Sequence, residues 1–249
     1  MINVTPLFSG SDGNSIYIND GKSEILIDAG KSAGAIDKAL KALGTSLSNI
    51  SAIFLTHEHS DHTSALEIIS KKFAIPVHIT DPSYKKLVHI GSFLSSCAVC
   101  HDVNYEVSVG DFKISSFEIP HDSVQNVGYI FENNGEKFGI ATDMGHITDE
   151  IKMRLCGCSS VIIESNHDRF MLVAGHYPEF LKHRILSDTG HLCNEECAHL
   201  ACYLAENGTK SITLAHLSKE NNTPDMAFSV TRQALDENGF CSVELNIAR

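Results

Sequence analysis

Apolar residues come in short runs at 2–8, 15–18 and 24–27, and these read as strands. Asn19, Asp20 and Gly21 form a turn between the last two. From 33 to 43 the apolar positions take helical spacing, and the run stops at Gly44. A short β run over 52–55 is followed by a helix over 61–72, a strand over 76–79 and a short helix from Asp81-Pro82 to about Val88. Residues 91–99 read as loop. The second half repeats the style. Strands are predicted over 112–118, 127–132, 137–141, 161–163, 211–214 and 243–247, and helices over 148–155, 178–186, 194–206 and 224–238. Two blocks of strands, each followed by β/α units, predict an α/β fold: two facing mixed β-sheets with outer helices, a four-layer αβ/βα sandwich. No Pro/Gly/Ser-rich linker interrupts the chain, so residues 1–249 are expected to form a single domain.

Composition narrows the class. Hydrophobic residues at 43% and charged residues at 20% exclude disordered, collagen-like and coiled-coil chains. No apolar run is long enough to span a membrane. Residues 1–7 lack a basic region and a long apolar stretch, so a cytoplasmic location is expected. The eight Cys should then be mostly thiols. Lys and Arg number 19 against 31 Asp and Glu, a net charge of −12. Nucleic-acid binding would therefore need a local basic patch or bound metal ions. Fourteen His in an acidic chain point weakly to a metalloenzyme.

The stretch that decides the chemistry is Thr56-His57-Glu58-His59-Ser60-Asp61-His62, directly after the apolar run at 52–55. Residues just past the C-terminal end of a buried strand stand where α/β sites are built. His57 and His59 can converge on one metal, while Asp61 and His62, starting the next helix, can reach a second. Imidazole with carboxylate suits Zn, Mn or Fe and hydrolytic chemistry. The competing reading is a polar loop that happens to hold three His; four potential ligands in H-x-H-x-D-H order argue against it.

Four further segments join this motif: Ile27-Asp28-Ala29-Gly30, His121 ahead of Gly128-Tyr129, Ala141-Thr142-Asp143-Met144-Gly145, and Leu214-Ala215-His216-Leu217-Ser218. With them the chain resembles the metallo-β-lactamase-fold superfamily from end to end. The resemblance implies that fold and two divalent metal ions. One would be held by His57, His59 and His121, the other by Asp61, His62 and His216, with Asp143 bridging. Asp28 would stand behind them, hydrogen-bonded to a ligand His or a neighbouring loop. A metal pair of this kind can hold a hydroxide as nucleophile and clamp a phosphoryl or acyl centre.

Longer stretches are similar to the YycJ/WalJ group, bacterial relatives of ribonuclease Z. They are residues 7–15 and 177–185, Ile119-Pro120-His121-Asp122, Glu164-Ser165-Asn166-His167-Asp168, Gly190-His191-Leu192-Cys193-Asn194 and residues 216–224. This resemblance implies a 5′-to-3′ DNA exonuclease linked to mismatch repair, with DNA a better expected partner than RNA. DNA-repair or two-component-system proteins are further candidate partners. Asp61, His191, Glu164 and His167 are the candidate catalytic residues. Gly190-His191 reads as a helix opening, where backbone N–H groups favour an anion, so His191 could contact the scissile phosphate or protonate the leaving oxygen. Glu164 follows the strand at 161–163, near where ribonuclease Z relatives carry an acidic residue that steadies a catalytic His. Asn166-His167-Asp168 departs from that pattern, and His167 reads equally as an extra site His or as a capping or surface residue.

Ser11 and Asn14, in the loop at 10–15, could lay hydroxyl and N–H groups against a phosphate, and Ser218 joins them as a substrate contact. Arg169, Lys182, His183 and Arg184 form the best candidate track for a strand backbone, the alternative being a solvated helix face. Cys97-x-x-Cys100 and Cys156-x-Cys158 are too far apart for a four-ligand metal site to be expected. Cys193, Cys197 and Cys202 have helical spacing and read as small core residues. Two other functions stay open at this stage. One is a ribonuclease or other hydrolase of the same fold, and the other a non-catalytic regulatory protein associated with a two-component system.

Overall fold

The computed structural model describes residues 1–87 and 94–248. One sheet runs β1 (Asn3–Phe8), β2 (Ser15–Asn19), β3 (Glu24–Ile27), β4 (Ala52–Phe54), β5 (Val77–Thr80) and β6 (Ala98–His101), in that spatial order. Its first three strands pair antiparallel, and β3 to β6 pair parallel. The other sheet holds β7 (Glu106–Val109), β8 (Phe112–Ile119), β9 (Asn126–Asn133), β10 (Glu136–Ala141), β11 (Ser160–Glu164), β12 (Ser211–Ala215) and β13 (Glu244–Ile247), each beside the next. It is antiparallel up to β10 and parallel from β10 to β13.

Strand parity sorts the side chains into layers. Ile25, Ile27 and Phe54 meet Tyr129, Phe131, Phe138, Ile140 and Ile162 between the sheets. Leu26 and Ile53 point the other way, onto Ile36 and Leu40 of α1 (Ala33–Ala42) and Ile69 of α3 (Leu66–Phe73). Val161, Ile163, Ile212 and Leu214 face the opposite outer layer. That layer is α5 (Asp149–Leu155), α8 (Asn194–Glu206) and α9 (Pro224–Glu237). Central strands are thus covered on both faces, which is why they read as continuous apolar runs. Each such side chain contributes about 1.5–3 kcal/mol by leaving water. The result is the four-layer sandwich expected from the sequence.

Several boundaries differ from expectation. The helix expected over 61–72 is two helices, α2 (Ser60–Thr63) and α3. The Asp61 carbonyl accepts from Asn14 N–H at 2.7 Å, and Ala65 N–H goes to the Ala29 carbonyl at 2.9 Å, so the bond that would continue the helix is not made. Residues 91–99 were expected as loop, but β6 begins at Ala98 and pairs with β5. Val88 and residues 91–93 of the expected helix end and loop lie outside the described residues. The first of the helices at 81–87 is α4 (Asp81–Leu87); β7 and α6 (Arg169–Ala174) were not expected, and α7 is Glu179–Ile185. His191 does not open a helix. Its N–H donates to the Ile185 carbonyl at 3.0 Å, and α8 starts at Asn194.

Candidate metal centre

The chain turns sharply where parallel strands end. Asp28 after β3, Asp143 after β10 and His216 after β12 all have left-handed backbones, with φ of 59°, 58° and 57°. Such conformations cost about 1–3 kcal/mol each and cluster where surrounding structure fixes a site. Between β4 and α2 lie His57 and His59, while Asp61 and His62 are on α2 itself; His121 follows β8 and Glu164 ends β11. All reach the same end of the sandwich.

There the candidate ligand atoms converge. Those of His57, His59 and His121 lie within 4.8 Å of one another, as do those of Asp61, His62 and His216. Asp143 stands between the two groups: its carboxylate is 3.4 Å from His62 Nε2, 3.4 Å from His216 Nε2 and 3.8 Å from His121 Nε2. His57 Nε2, His216 Nε2 and Asp143 Oδ2 are buried with no hydrogen-bond partner among the described residues. Buried polar atoms are normally satisfied, so three unpaired ligand atoms within these clusters fit metal coordination.

Outer partners set the ring orientations. Asp28 Oδ2 is 2.8 Å from His62 Nδ1, and its carboxylate also accepts from Thr56 N–H at 2.9 Å and from the Thr56 hydroxyl. Thr56 Oγ1 is in turn 3.0 Å from His57 Nδ1. His121 Nδ1 donates to the Gly190 carbonyl at 3.2 Å. In His57 and His121 Nε2 is left for the centre, while His62 Nε2 also has Asn14 Nδ2 at 3.1 Å. Glu164, fully buried, takes His191 Nδ1 at 2.8 Å and His216 Nδ1 at 2.9 Å on Oε1, with Met144 and Leu192 N–H groups on Oε2. Glu58 turns away, accepting from Val124 N–H at 2.9 Å.

The buried carboxylates and imidazoles of the centre shift one another's titration. Burial works to raise the Asp61 carboxyl, yet the imidazoles of His216 at 3.8 Å and His62 at 3.4 Å hold it well below the carboxylate range. Burial works to lower His216, yet Asp143, Asp61 and Glu164 push it up to about 10. Burial likewise opposes a charge on His62, but Asp28 and Asp143 raise it well above its usual value. His57 goes the other way: burial, with the neighbouring His62 and His121, drives it far down, so it is neutral and able to ligate.

A cavity of about 250 Å³ opens over these groups. His59, Asp61, His121, Asp143, His191 and His216 line it, with Ser11, Ser218 and Asn166 on one wall and Tyr177, Leu181 and Arg184 on another. The substrate contacts expected from the sequence therefore separate. Ser11, Ser218 and Arg184 border the cavity, and Arg184 is paired with Asp122. Asn14 lies behind the wall, its Nδ2 3.1 Å from His62 Nε2 and 3.3 Å from Asp61. Lys182 does not border the cavity: its ammonium donates to the Val173 carbonyl at 2.8 Å and to Glu179 at 3.0 Å. Nor does Arg169, which donates to Cys193 Sγ at 3.1 Å and faces Glu196. His167 is 1% exposed and outside the cavity lining, with neither ring nitrogen paired among the described residues. The Cys pairs join no ligand cluster among the described residues. Sequence reading gave no role to Thr56, Asp122 or Asn166, although each stands beside a flagged His, at 57, 121 and 167, within a motif it quoted.

Comparison with known proteins gives the same assignment. Residues 23–216 match the family model of the β-lactamase superfamily domain. The chain is 36% identical over 240 residues to the exodeoxyribonuclease YycJ of Bacillus anthracis, covering 96% of this chain and 91% of that protein. It is 35% identical over 224 residues to the exodeoxyribonuclease WalJ of Streptococcus pneumoniae serotype 2 strain D39, covering 89% and 83%. The metallo-β-lactamase fold protein YhfI of Bacillus subtilis superposes with a TM-score of 0.74 at 16% identity, over 100% of this chain and 96% of that one. With its own ligand geometry and these matches together, the chain belongs to the metallo-β-lactamase superfamily, within the YycJ/WalJ group.

Proposed function

We propose that the protein is a dinuclear metal-dependent phosphodiesterase that degrades DNA from a 5′ end, in DNA repair. The observation that carries this reading is the pair of ligand triads with Asp143 close to both, in which His57 Nε2 and His216 Nε2 are buried without a hydrogen-bond partner among the described residues. The exodeoxyribonuclease relatives supply the substrate class. His57, His59 and His121 would hold one ion, Asp61, His62 and His216 the other, and Asp143 both. Zn, Mn and Fe all suit this donor set. Divalent ions there supply Lewis-acid polarisation of a phosphoryl oxygen and a water of lowered pKa.

The chain's own groups do the rest. His191 borders the cavity with Nδ1 committed to Glu164, so Nε2 is the nitrogen that can give a proton to the leaving oxygen. Burial works against its charge, but Glu164 outweighs this and raises His191 above its ordinary value. Glu164 holds His191 and His216 on one oxygen and so fixes donor and ligand relative to each other. Ser11, Ser218 and Asn166 offer polar groups to a phosphate on one wall; Tyr177 and Leu181 offer an apolar surface on the other.

The test uses end-labelled duplex and single-stranded DNA with matched RNA. Metal-stripped protein is restored with Mn²⁺ or Zn²⁺, and Asp61→Ala is the control. The expected result is metal-dependent loss of DNA from the 5′ end that Asp61→Ala abolishes. RNA cleaved in preference to DNA would make it a ribonuclease, and no cleavage of any nucleic acid at full metal occupancy would overturn the reading.

A further inference from the structure

Next in sequence to Ser11 and Ser218 of the cavity lining, and outside the lining itself, stand Asp12 and Lys219, part of a feature that the metal centre does not use. Asp12, next to Ser11, receives the ammonium groups of two lysines distant in sequence, Lys31 at 2.8 Å and Lys219 at 2.7 Å, on the same Oδ2. We infer that Lys31 and Lys219, held on Asp12, form a phosphate subsite that seats a phosphate of the substrate strand beside the metal centre.

The loop that carries Asp12 is mounted on the centre itself. Ser9 Oγ accepts from His216 N–H at 2.8 Å. Asn14 Oδ1 accepts from Gly10 N–H at 2.9 Å while its Nδ2 lies against His62 and Asp61. Gly13 has φ +145°, and a Cβ there would fall 2.5 Å from the Gly30 carbonyl and 2.7 Å from Lys31 Cδ. The loop and the Lys31 stem are therefore pressed together, and the loop's position is tied to three candidate ligands, His216, His62 and Asp61. An anion on this rim would be registered against the centre.

Charge balance is what separates this wall from its surroundings. Arg184 is matched by Asp122, Lys182 by Glu179 and Arg169 by Glu196, each cation to one carboxylate. At Asp12 two cations share one carboxylate, leaving a unit of positive charge on the rim of a chain whose net charge is −12. Each ammonium carries three donors, so contact with Asp12 leaves others for a ligand. Exposed ion pairs contribute little to stability, and the Lys219 side chain is 62% exposed, so stability does not account for the arrangement. Hydrogen bonds from Lys219 and Lys31 pull the Asp12 carboxyl down to about 2, so the clamp persists across the neutral range.

This inference rests on the nuclease reading, and its test separates the two. The probe is a short single-stranded DNA with phosphorothioate linkages, a 3′ fluorophore and either a 5′-phosphate or a 5′-hydroxyl. Binding to the metal-loaded protein is measured by anisotropy over a salt series. Lys219→Ala should weaken binding about tenfold, roughly 1.4 kcal/mol. It should also lower the slope of log affinity against log salt by about 0.7, the value for one phosphate contact on a single strand. Lys219→Arg should restore both, and Lys31→Gln should act in the same direction as Lys219→Ala. A loss confined to the 5′-phosphorylated probe assigns the subsite to the terminal phosphate; an equal loss on both assigns it to an internal phosphodiester. Binding within twofold of wild type with an unchanged slope on both probes overturns the subsite, as does a wild-type protein that binds neither. Wild-type protein that shows these binding effects but fails to cut ordinary DNA refutes the nuclease reading and leaves the subsite standing.

Discussion

Glu164→Gln keeps the shape of a fully buried side chain and removes its charge. Four donors converge on the native carboxylate: Met144 N–H at 2.7 Å and Leu192 N–H at 3.1 Å on one oxygen, His191 at 2.8 Å and His216 at 2.9 Å on the other. An amide offers one acceptor oxygen and one NH₂. Whichever way it turns, a donor faces two donors. With hydrogen bonds to charged groups contributing about 1.5–3 kcal/mol each, losing two should destabilise the protein by about 3–6 kcal/mol. For a chain of this size that lowers the unfolding midpoint by roughly 6–24 °C. If the amide faces the imidazoles, His191 and His216 also lose the acceptor that fixes their tautomers. Metal affinity should then fall by roughly 10- to 100-fold, the usual effect of removing an outer partner. Calorimetry with and without metal, metal competition titrations and turnover on labelled DNA read the three effects. A Glu164→Gln protein that unfolds within about 2 °C of wild type and keeps its metal affinity would refute the claim that this carboxylate organises the site.

Asp28→Asn should leave the fold intact but cut affinity for one of two ions roughly 10- to 100-fold, because Asp28 sets the His62 ring; equal loss of both ions in a metal titration would contradict it. His167 supplies a pH prediction. Burial holds it down at about 4, whereas in the unfolded chain it titrates near its ordinary value of 6.5. The unfolded state therefore binds the extra proton first, and stability should fall as pH drops from about 6.5 toward 4, by up to roughly 3 kcal/mol. His167→Leu should remove that share of the acid sensitivity without loss of turnover at neutral pH; urea unfolding at pH 7 and 4.5 that shows unchanged sensitivity would count against it.

What could be read from the sequence follows from how local each cause is. His57, His59, Asp61 and His62 lie within six residues, so spacing alone exposed them. Asp28, Asp143 and His216 sit singly at strand ends, and only resemblance to a family singled them out. The two-sheet sandwich was legible because strand runs and helix spacing alternate in blocks. The break between α2 and α3 was not, because its cause is Asn14, forty-seven residues before Asp61, taking the Asp61 carbonyl. Strand β6 exists because β5 offers it a free edge, which a half-exposed Ala98–His101 segment does not announce. The basic track expected at Arg169, Lys182 and Arg184 failed as a single surface for the same kind of reason. Tertiary partners, Glu196 and the Val173 carbonyl among them, turn the first two side chains away from the cavity. The surplus charge instead sits on Lys31 and Lys219, which share Asp12 although 188 residues separate them.

Metal stoichiometry across Asp143→Asn tests the proposed shared-ligand centre most directly. Mass spectrometry of protein dialysed against Mn²⁺ or Zn²⁺ should find two ions per wild-type chain. The variant should retain fewer, and its metal-dependent cleavage of DNA should fall with them. A wild-type chain that saturates with one ion or none, or a variant that keeps two ions and full activity, would contradict it.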